Sequence, residues 1–318
     1  GRSLIGWDEI LAGGVPAGAA VMSWRGVDGG IAAAAAGHDV VLSPAPTLYL
    51  DNRQGTGPSE PPGRGQLVTL AEVYRFDPLP DGLAAAQQRV LGLQANLWTE
   101  HVRTPERAAY MTWPRAAALA EIAWSPPQRL GWDSFLERLP AEFDRYRALG
   151  IHFSDAVFSP PRSLGPYDRH MSQDLKTCTA KLVLNLEDDA PLEGPRAVFL
   201  VDIMNPCWML PAGELSGTTA LTAAVGQVPF NFQLGNDVEA IRLRPPRTPA
   251  GELEVRLDGC EGDPIAVLPL TSAAGNDAVT VLPPAPLPQL SGEHALCFTF
   301  TQRTLDPLWT LDWVQLSR

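Results

Sequence analysis

The sequence predicts an α/β region followed by an all-β region, and three observations carry that expectation. Residues 1–150 alternate strand-like and helix-like segments about every twenty residues, as parallel strands joined by outer helices do. From Thr177 onward the pattern changes to short alternating apolar runs divided by turn residues, the mark of an antiparallel β-sandwich. A chain of 318 residues exceeds one typical core, so two domains are expected, and its 31 prolines and 28 glycines imply many turns. Four βα units amount to half of a (β/α)8 TIM barrel.

In the first region, Ser3–Gly6 is a strand leading to Trp7-Asp8-Glu9 and a helix start. Ala19–Trp24 is a strand that ends at Arg25-Gly26. Gly29–Ala36 is an alanine-rich helix with Gly37 as a natural stop. Asp39–Ser43 is a third strand, continued past Pro44 and Pro46 by Thr47–Asp51, and residues 52–88 are a Gly/Pro-rich excursion. Arg89–Thr99 is the fourth strand. Thr104–Trp124 reads as one long helix with Pro105 in its first turn, and Trp132–Leu149 as another.

The first region is organised around Val90–Glu100. Val90, Leu91 and Leu93 form the apolar run of a strand buried on both faces. Period-2 alternation then puts Asn96, Trp98 and Glu100 on one face, as where a barrel strand opens into a polar pocket. A flat aromatic ring beside a carboxylate suits a sugar: the ring covers the C–H face and the carboxylate accepts hydroxyl hydrogen bonds. A core tryptophan followed by a helix-capping glutamate explains the stretch equally well. Trp7, Trp24, Tyr49 and Asp51 also fall at strand C-terminal ends, however, and chance core aromatics would not prefer strand ends.

The net charge of −12 argues against nucleic-acid binding, because little here would neutralise phosphates. No apolar run reaches the roughly 20 residues that span a bilayer. The amino-terminal GRSLIGWDEI is no signal peptide and opens directly into a strand, so the chain is expected to be the C-terminal part of something longer.

GWDE, VMSWRG, the VVLSP and LYLD pair, GLQANLWTE and YMTWPRAAALAEIAW, in this order and spacing, resemble the second half (strands 5–8) of the catalytic barrel of the family-20 β-N-acetylhexosaminidases. The resemblance covers roughly residues 1–158. It implies an exo-acting glycosidase that removes terminal N-acetylhexosamine from glycans or chitooligosaccharides, with no cofactor and no metal. Trp7, Trp24 and Trp98 resemble the tryptophans that wall the sugar pocket. Tyr49 resembles the tyrosine that holds the acetamido oxygen, and Asp51 and Glu100 the carboxylates that bind sugar hydroxyls. Catalysis in that family is substrate-assisted and retaining: the acetamido oxygen attacks the anomeric carbon, so orientation is part of the chemistry.

The sequence departs from the family at one point. The adjacent Asp-Glu pair that supplies the general acid/base lies in a His-x-Gly-Gly-Asp-Glu-like motif, and no such motif occurs here. The arginine that grips the sugar hydroxyls is also absent. Asp8-Glu9 is set aside as a substitute, because it sits where the family starts a structural helix, and carboxylates suit a helix N-terminus. The chain alone is therefore expected to lack activity and to need the missing half of the barrel. The alternatives are a glycan-binding protein without catalysis and a structural fragment. Other residues take blander roles: His101 and His38 as loop or turn residues, Arg115 and Glu121 as solvated or packing residues, and Trp113 and Trp124 as packing residues.

Residues 159–176 read as a connector, and residues 177–318 as the sandwich. Its strands are sought in AKLVLNLE, RAVFLVDI, DVEAIRLR, GELEVRLDG, PIAVLPL, AVTVLP, HALCFTFTQ and LWTLDWVQL, with VDIMNPCWMLPAGEL assigned to the same sandwich. Residues 251–316 resemble the C-terminal part of a family-6-type carbohydrate-binding module. That resemblance makes Trp208, Trp309 and Trp313 candidates for glycan contact, with Trp313 closer to a core position and bracing of the barrel the stronger reading for the module. Asp189, Asp202 and Asp258 are candidates for a structural Ca²⁺ or for turns. Cys178, Cys207, Cys260 and Cys297 contain no C-x-x-C pair, which argues against a zinc ribbon and leaves disulfides and buried thiols both open. Export to the periplasm or the cell exterior is implied by the family resemblance.

Overall fold

A computed structural model describes residues 2–57, 60–129, 131–159, 163–188 and 196–318. The chain forms two compact units, Gly1–Pro161 and Arg162–Arg318.

The first unit is built on a four-stranded parallel sheet of β1 (Ile5–Trp7), β2 (Ala20–Ser23), β3 (Val40–Leu42) and β6 (Val90–Leu93), in spatial order β1-β2-β3-β6. Its connections carry α1 (Ile10–Gly13) after β1 and α2 (Asp28–Ala35) after β2. The alanine-rich α2 lies close on the sheet, since a Cβ at Gly30 would meet Leu42 at 2.8 Å. Val21, Val40, Leu42, Ala33, Ala34 and Leu83 form the core on that face.

The excursion between β3 and β6 is more ordered than its composition suggests. It holds the short parallel pair β4 (Asn52–Arg53) and β5 (Arg64–Leu67), then α3 (Leu70–Tyr74) and α4 (Asp81–Ala84). Thr69 and Glu72 form a capping box at the start of α3. The fourth strand is shorter than Arg89–Thr99: it ends at Leu93, with a bulge at Leu91 and only an isolated bridge from Asn96 to Tyr49 beyond it. The long helix is two helices, α5 (Pro105–Thr112) and α6 (Arg115–Trp124). Pro114 breaks it, because its ring excludes the helical hydrogen bond and turns Trp113 to extended backbone. Thr104 caps α5 by accepting from the Arg107 amide at 3.2 Å. Trp132–Leu149 is α7, closed by Gly150 in the left-handed conformation. Phe135, Leu139, Phe143 and Tyr146 of α7 bury against Leu70, Val73, Ala118 and Ile122.

The second unit is antiparallel. One five-stranded sheet comprises β14 (Ala266–Pro269), β13 (Glu252–Leu257), β17 (Glu293–Thr301), β11 (Cys207–Glu214) and β8 (Lys176–Thr177). The other contains β15 (Thr280–Val281), β12 (Ala220–Val228), β18 (Leu308–Ser317) and β7 (His170–Met171), with β16 (Ala285–Pro286) also on β12. β9 (Val183–Glu187) and β10 (Val198–Asp202) make a further antiparallel pair. Leu253, Val255, Phe298, Trp208, Leu221, Val225, Leu311 and Val314 share one apolar core between the sheets.

Within this unit DVEAIRLR is not a strand: residues 235–240 form a 3-10 helix. β12, whose alanine-rich sequence gave little strand signal, pairs with β18 from Ala220 to Val228. Gly226 leaves the space that the Phe199 ring occupies. Part of 159–176 is sheet, since His170–Met171 pairs with β18; residues 160–162 lie outside the described residues.

Candidate active site

The candidate residues gather beyond the carboxyl ends of the four parallel strands. Trp7 closes β1, Trp24 follows β2, Tyr49 and Asp51 follow β3, and Trp98 and Glu100 follow β6. The rings meet in two pairs: Trp7 and Trp98 with centroids 6.2 Å apart, and Trp24 and Tyr49 at 6.3 Å. Trp7 and Trp24 are half-buried, Trp98 is 43% exposed and Glu100 is exposed. The three indoles therefore keep exposed surface of the kind a sugar covers.

Asp8 and Glu9 stand at the start of α1, as expected, but their side chains reach the neighbouring strand end and do not cap the helix. The buried Asp8 carboxylate accepts from the Trp24 and Arg25 amides at 3.1 and 3.2 Å and from Arg25 Nε at 2.7 Å. Glu9 takes the Trp24 indole N–H on both oxygens, at 3.0 and 3.1 Å. The pair thus fixes Trp24, a positioning role that sequence reasoning missed. The signal for it was the adjacency of Asp8-Glu9 to Trp7 at a strand end.

Tyr49 is buried, with the Trp98 indole beside its hydroxyl. An indole only donates, so toward Trp98 the phenol oxygen can act only as an acceptor. Burial raises the phenol above its ordinary pKa, so it remains protonated at neutral pH. The Arg64 guanidinium lies 5.8 Å over the Tyr49 ring and 3.7 Å from Asp51 Oδ2. Asp51 is 1% exposed, and its Oδ1 has no hydrogen-bond partner among the described residues. Burial raises its pKa, against the pull of Arg64. Arg64 sits in the Gly/Pro-rich excursion, where nothing in the sequence marked it.

Asn96, expected on the pocket face, is buried and engaged. Its Nδ2 donates to Ser43 at 2.6 Å, and its Oδ1 accepts from Gln94 at 2.8 Å. The strand ends before the alternation reaches it. His101 is half-buried rather than a free loop residue, and burial lowers its pKa.

Arg115 is fully buried and donates to the main-chain carbonyls of Leu50, Asn52, Val68 and Met111 at 2.6–3.2 Å. Two of these carbonyls flank Asp51, so a helix arginine positions the backbone that carries this carboxylate. Burial lowers its pKa to about 10, which leaves it charged at neutral pH. Glu121 pairs with Arg138 at 2.7 Å and accepts from the Tyr74 hydroxyl, a packing role. Trp113 packs against Tyr146 at 5.2 Å in the helical core, whereas Trp124 is exposed rather than packed.

In the second unit, Trp208, Trp309 and Trp313 are all buried, so none offers a face to a glycan. Trp208 donates its indole N–H to the Leu200 carbonyl at 2.6 Å. Asp202 is buried, with both oxygens taken by Thr179 and by the amides of Lys181, Leu182 and Met204. Asp258 holds His294 at 2.7 Å and the Ala295 amide. Both are turn organisers, and Asp189 lies outside the described residues. Cys178–Cys207 and Cys260–Cys297 are disulfides, which points to an extracytoplasmic location. Among the described residues, no helix is long and apolar enough to cross a membrane.

Aromatic walls and carboxylates at the carboxyl ends of parallel strands are what a glycoside hydrolase presents to a sugar. The comparisons make this specific: residues 1–127 match the catalytic domain of glycosyl hydrolase family 20. The β-hexosaminidase of Porphyromonas gingivalis is 41% identical over 197 residues, covering 60% of this chain and 25% of that protein. The β-N-acetylhexosaminidase of Cellulomonas fimi is 31% identical over 171 residues, covering 52% and 34%. A solved family-20 exo-β-N-acetylglucosaminidase from Vibrio harveyi, in complex with N-acetylglucosamine, aligns at 32% identity and a TM-score of 0.45, over 48% of this chain and 24% of that one. The first region is thus homologous to family-20 β-hexosaminidases, and the chain spans about a quarter to a third of the length of these two curated relatives.

Proposed function

We propose that the first unit is the acetamido-sugar pocket of an exo-acting β-N-acetylhexosaminidase, one half of its catalytic barrel, completed by an acid that these 318 residues do not supply. Tyr49 carries the reading. It is buried beside the Trp98 indole, burial keeps its proton in place, and it sits between tryptophans that suit a sugar ring. Such a phenol donates to the acetamido carbonyl oxygen and orients it toward the anomeric carbon, the nucleophilic step of substrate-assisted retaining hydrolysis. Trp7, Trp24 and Trp98 wall the ring and the acetamido methyl. Asp51 and Glu100 accept from sugar hydroxyls, with Arg64 holding Asp51. The proposed substrates are N-acetylhexosamine-terminated glycans or chitooligosaccharides. Export of the protein accords with the disulfides.

The engagement of Glu9 by Trp24 favours binding without cleavage for this chain alone, because it ties up the carboxylate best placed to substitute for the missing acid. Calorimetric titration with GlcNAc, with a thiazoline mimic of the oxazolinium intermediate, and with glucose tests the pocket. The acetamido ligands are expected to bind and glucose not to, and Tyr49→Phe is expected to weaken the thiazoline about tenfold. Equal binding of glucose and GlcNAc would sink the pocket assignment. Turnover of a chromogenic N-acetylglucosaminide by the chain alone would instead sink the missing acid.

A further inference from the structure

The four cysteines converge on one point of the second unit. Cys178 follows β8, Cys207 opens β11, Cys260 lies in the turn after β13 and Cys297 is in the middle of β17. Their sulfurs all lie within 4.8 Å of one another. Between the two disulfides, Cys207 and Cys260 sulfurs are 3.3 Å apart, and Cys178–Cys260 and Cys207–Cys297 are 3.5 Å apart. Either disulfide alone would tie its two segments together equally well wherever it lay. Their coalescence into one four-sulfur cluster is a separate property of the fold.

A tetrahedral thiolate site with metal–sulfur bonds of about 2.3 Å has sulfur–sulfur edges of about 3.8 Å. Three edges between the pairs are already close to that length, and the two bonded edges can lengthen toward it once the disulfides open. The cluster lies on the face of β11 and β17 away from the apolar core. Trp208, Leu210, Leu296 and Phe298 point into the core, and the alternate residues Cys207 and Cys297 point to the other side, where both are buried. Cys178 and Cys260 are half-buried and close the site from the strand end and the turn. Arg244 donates to the Cys260 carbonyl at 2.8 Å, and Arg256 stands opposite Cys297 in the β13–β17 register, tied to Glu254 and Thr299. Each guanidinium is also paired with a carboxylate, Arg256 with Glu254 at 2.6 Å and Arg244 with Glu261 at 3.4 Å, so the charge of four thiolates falls to the cation itself.

We propose that the four cysteines, when reduced, form a closed tetrathiolate site for a zinc-class divalent cation, and that the two disulfides are its oxidised, metal-free state. Four thiolates leave no open position, so the ion braces the sheet and does no chemistry. Each disulfide takes two electrons and two protons from a dithiol reductant to give two thiols. The cation then displaces the four thiol protons. In reverse, a two-electron oxidant for each pair restores the disulfides and expels the ion. The metal state belongs to the chain before oxidation, and the disulfide state to an oxidising compartment.

The test is to produce the full chain in a reducing cytoplasm, purify it without chelator, desalt it, and measure zinc and reactive thiols. The expected result is one zinc per chain and four thiols protected from a thiol reagent while the chain is folded, as judged by near-ultraviolet circular dichroism. Cobalt(II) exchange should give the intense visible bands of a tetrahedral thiolate complex. Oxidation with an azodicarboxamide should release the metal one for one and lower the denatured chain's mass by four hydrogens. Cys297→Ser should reduce zinc content well below half, and Cys297→Ser in a chain oxidised beforehand should make no difference to its lack of metal. Four reactive thiols without zinc in a folded chain would overturn the proposal. So would a reduced chain that stays unfolded when zinc is added.

Discussion

The two units use tryptophan in opposite ways. In the first, Trp7, Trp24 and Trp98 stand at strand ends, half-buried or exposed. In the second, Trp208, Trp309 and Trp313 lie within β11 and β18, all buried, and Trp309 stacks on Phe300 at 6.2 Å. Residue type is the same and position along the strand differs. A ring in mid-strand that faces another sheet fills the core; a ring at or beyond a strand's last residue has no opposing layer and remains available to a ligand.

The largest test of this contrast is Trp208→Ala. It removes a fully buried indole and its hydrogen bond to Leu200, and is expected to cost the second unit about 3–5 kcal/mol, read from its denaturant midpoint. Arg115→Met comes next. It strips charged donors from four buried carbonyls and is expected to cost the first unit about 2–3 kcal/mol, with sugar affinity falling in parallel because Asp51 loses its frame. An unchanged midpoint in either variant would break the comparison at that point.

Titration gives a third test. Asp312 in β18 is buried beside Asp188, and burial first, then that carboxylate, raises its pKa to about 6, with Arg169 opposing. The folded unit therefore keeps a proton that the unfolded chain releases. Stability is greatest below the ordinary carboxylate range and falls as pH rises to about 6. Asp312→Asn should flatten that slope and stabilise the unit at neutral pH by about 1–3 kcal/mol, measured as urea midpoints across the window. The smallest effect on stability is expected from Trp98→Ala. This exposed ring should change the midpoint by less than about 0.5 kcal/mol while weakening acetamido-sugar binding about tenfold.

The parallel strands and the aromatics at their ends were legible because apolar runs and the change to polar residues mark a strand and its mouth. The break at Pro114 and the Thr69–Glu72 capping box were also written in the sequence, but helix periodicity and Gly/Pro content masked them. β12 was illegible because Ala223, Ala224 and Gly226 carry little strand signal; they are there to let β18 and Phe199 approach. The opposite error, at DVEAIRLR, came from alternation that meets only a single bridge, from Arg244 to Thr301, among the described residues. The sequence puts Asn96 on the pocket face and Arg115 in a solvated or packing role and leaves Arg64 unmarked, since their partners are distant carbonyls, rings and hydroxyls whose proximity only the fold creates.

The Arg115 clamp has an evolutionary consequence. Every group it grips is main chain, so it is indifferent to the side chains of the loop it holds. Substitution at Asp51 should alter the proposed sugar contact without releasing the backbone that presents it. Recognition and scaffolding are thereby written in different residues, and ligand preference can drift across a lineage while the loop stays where it is.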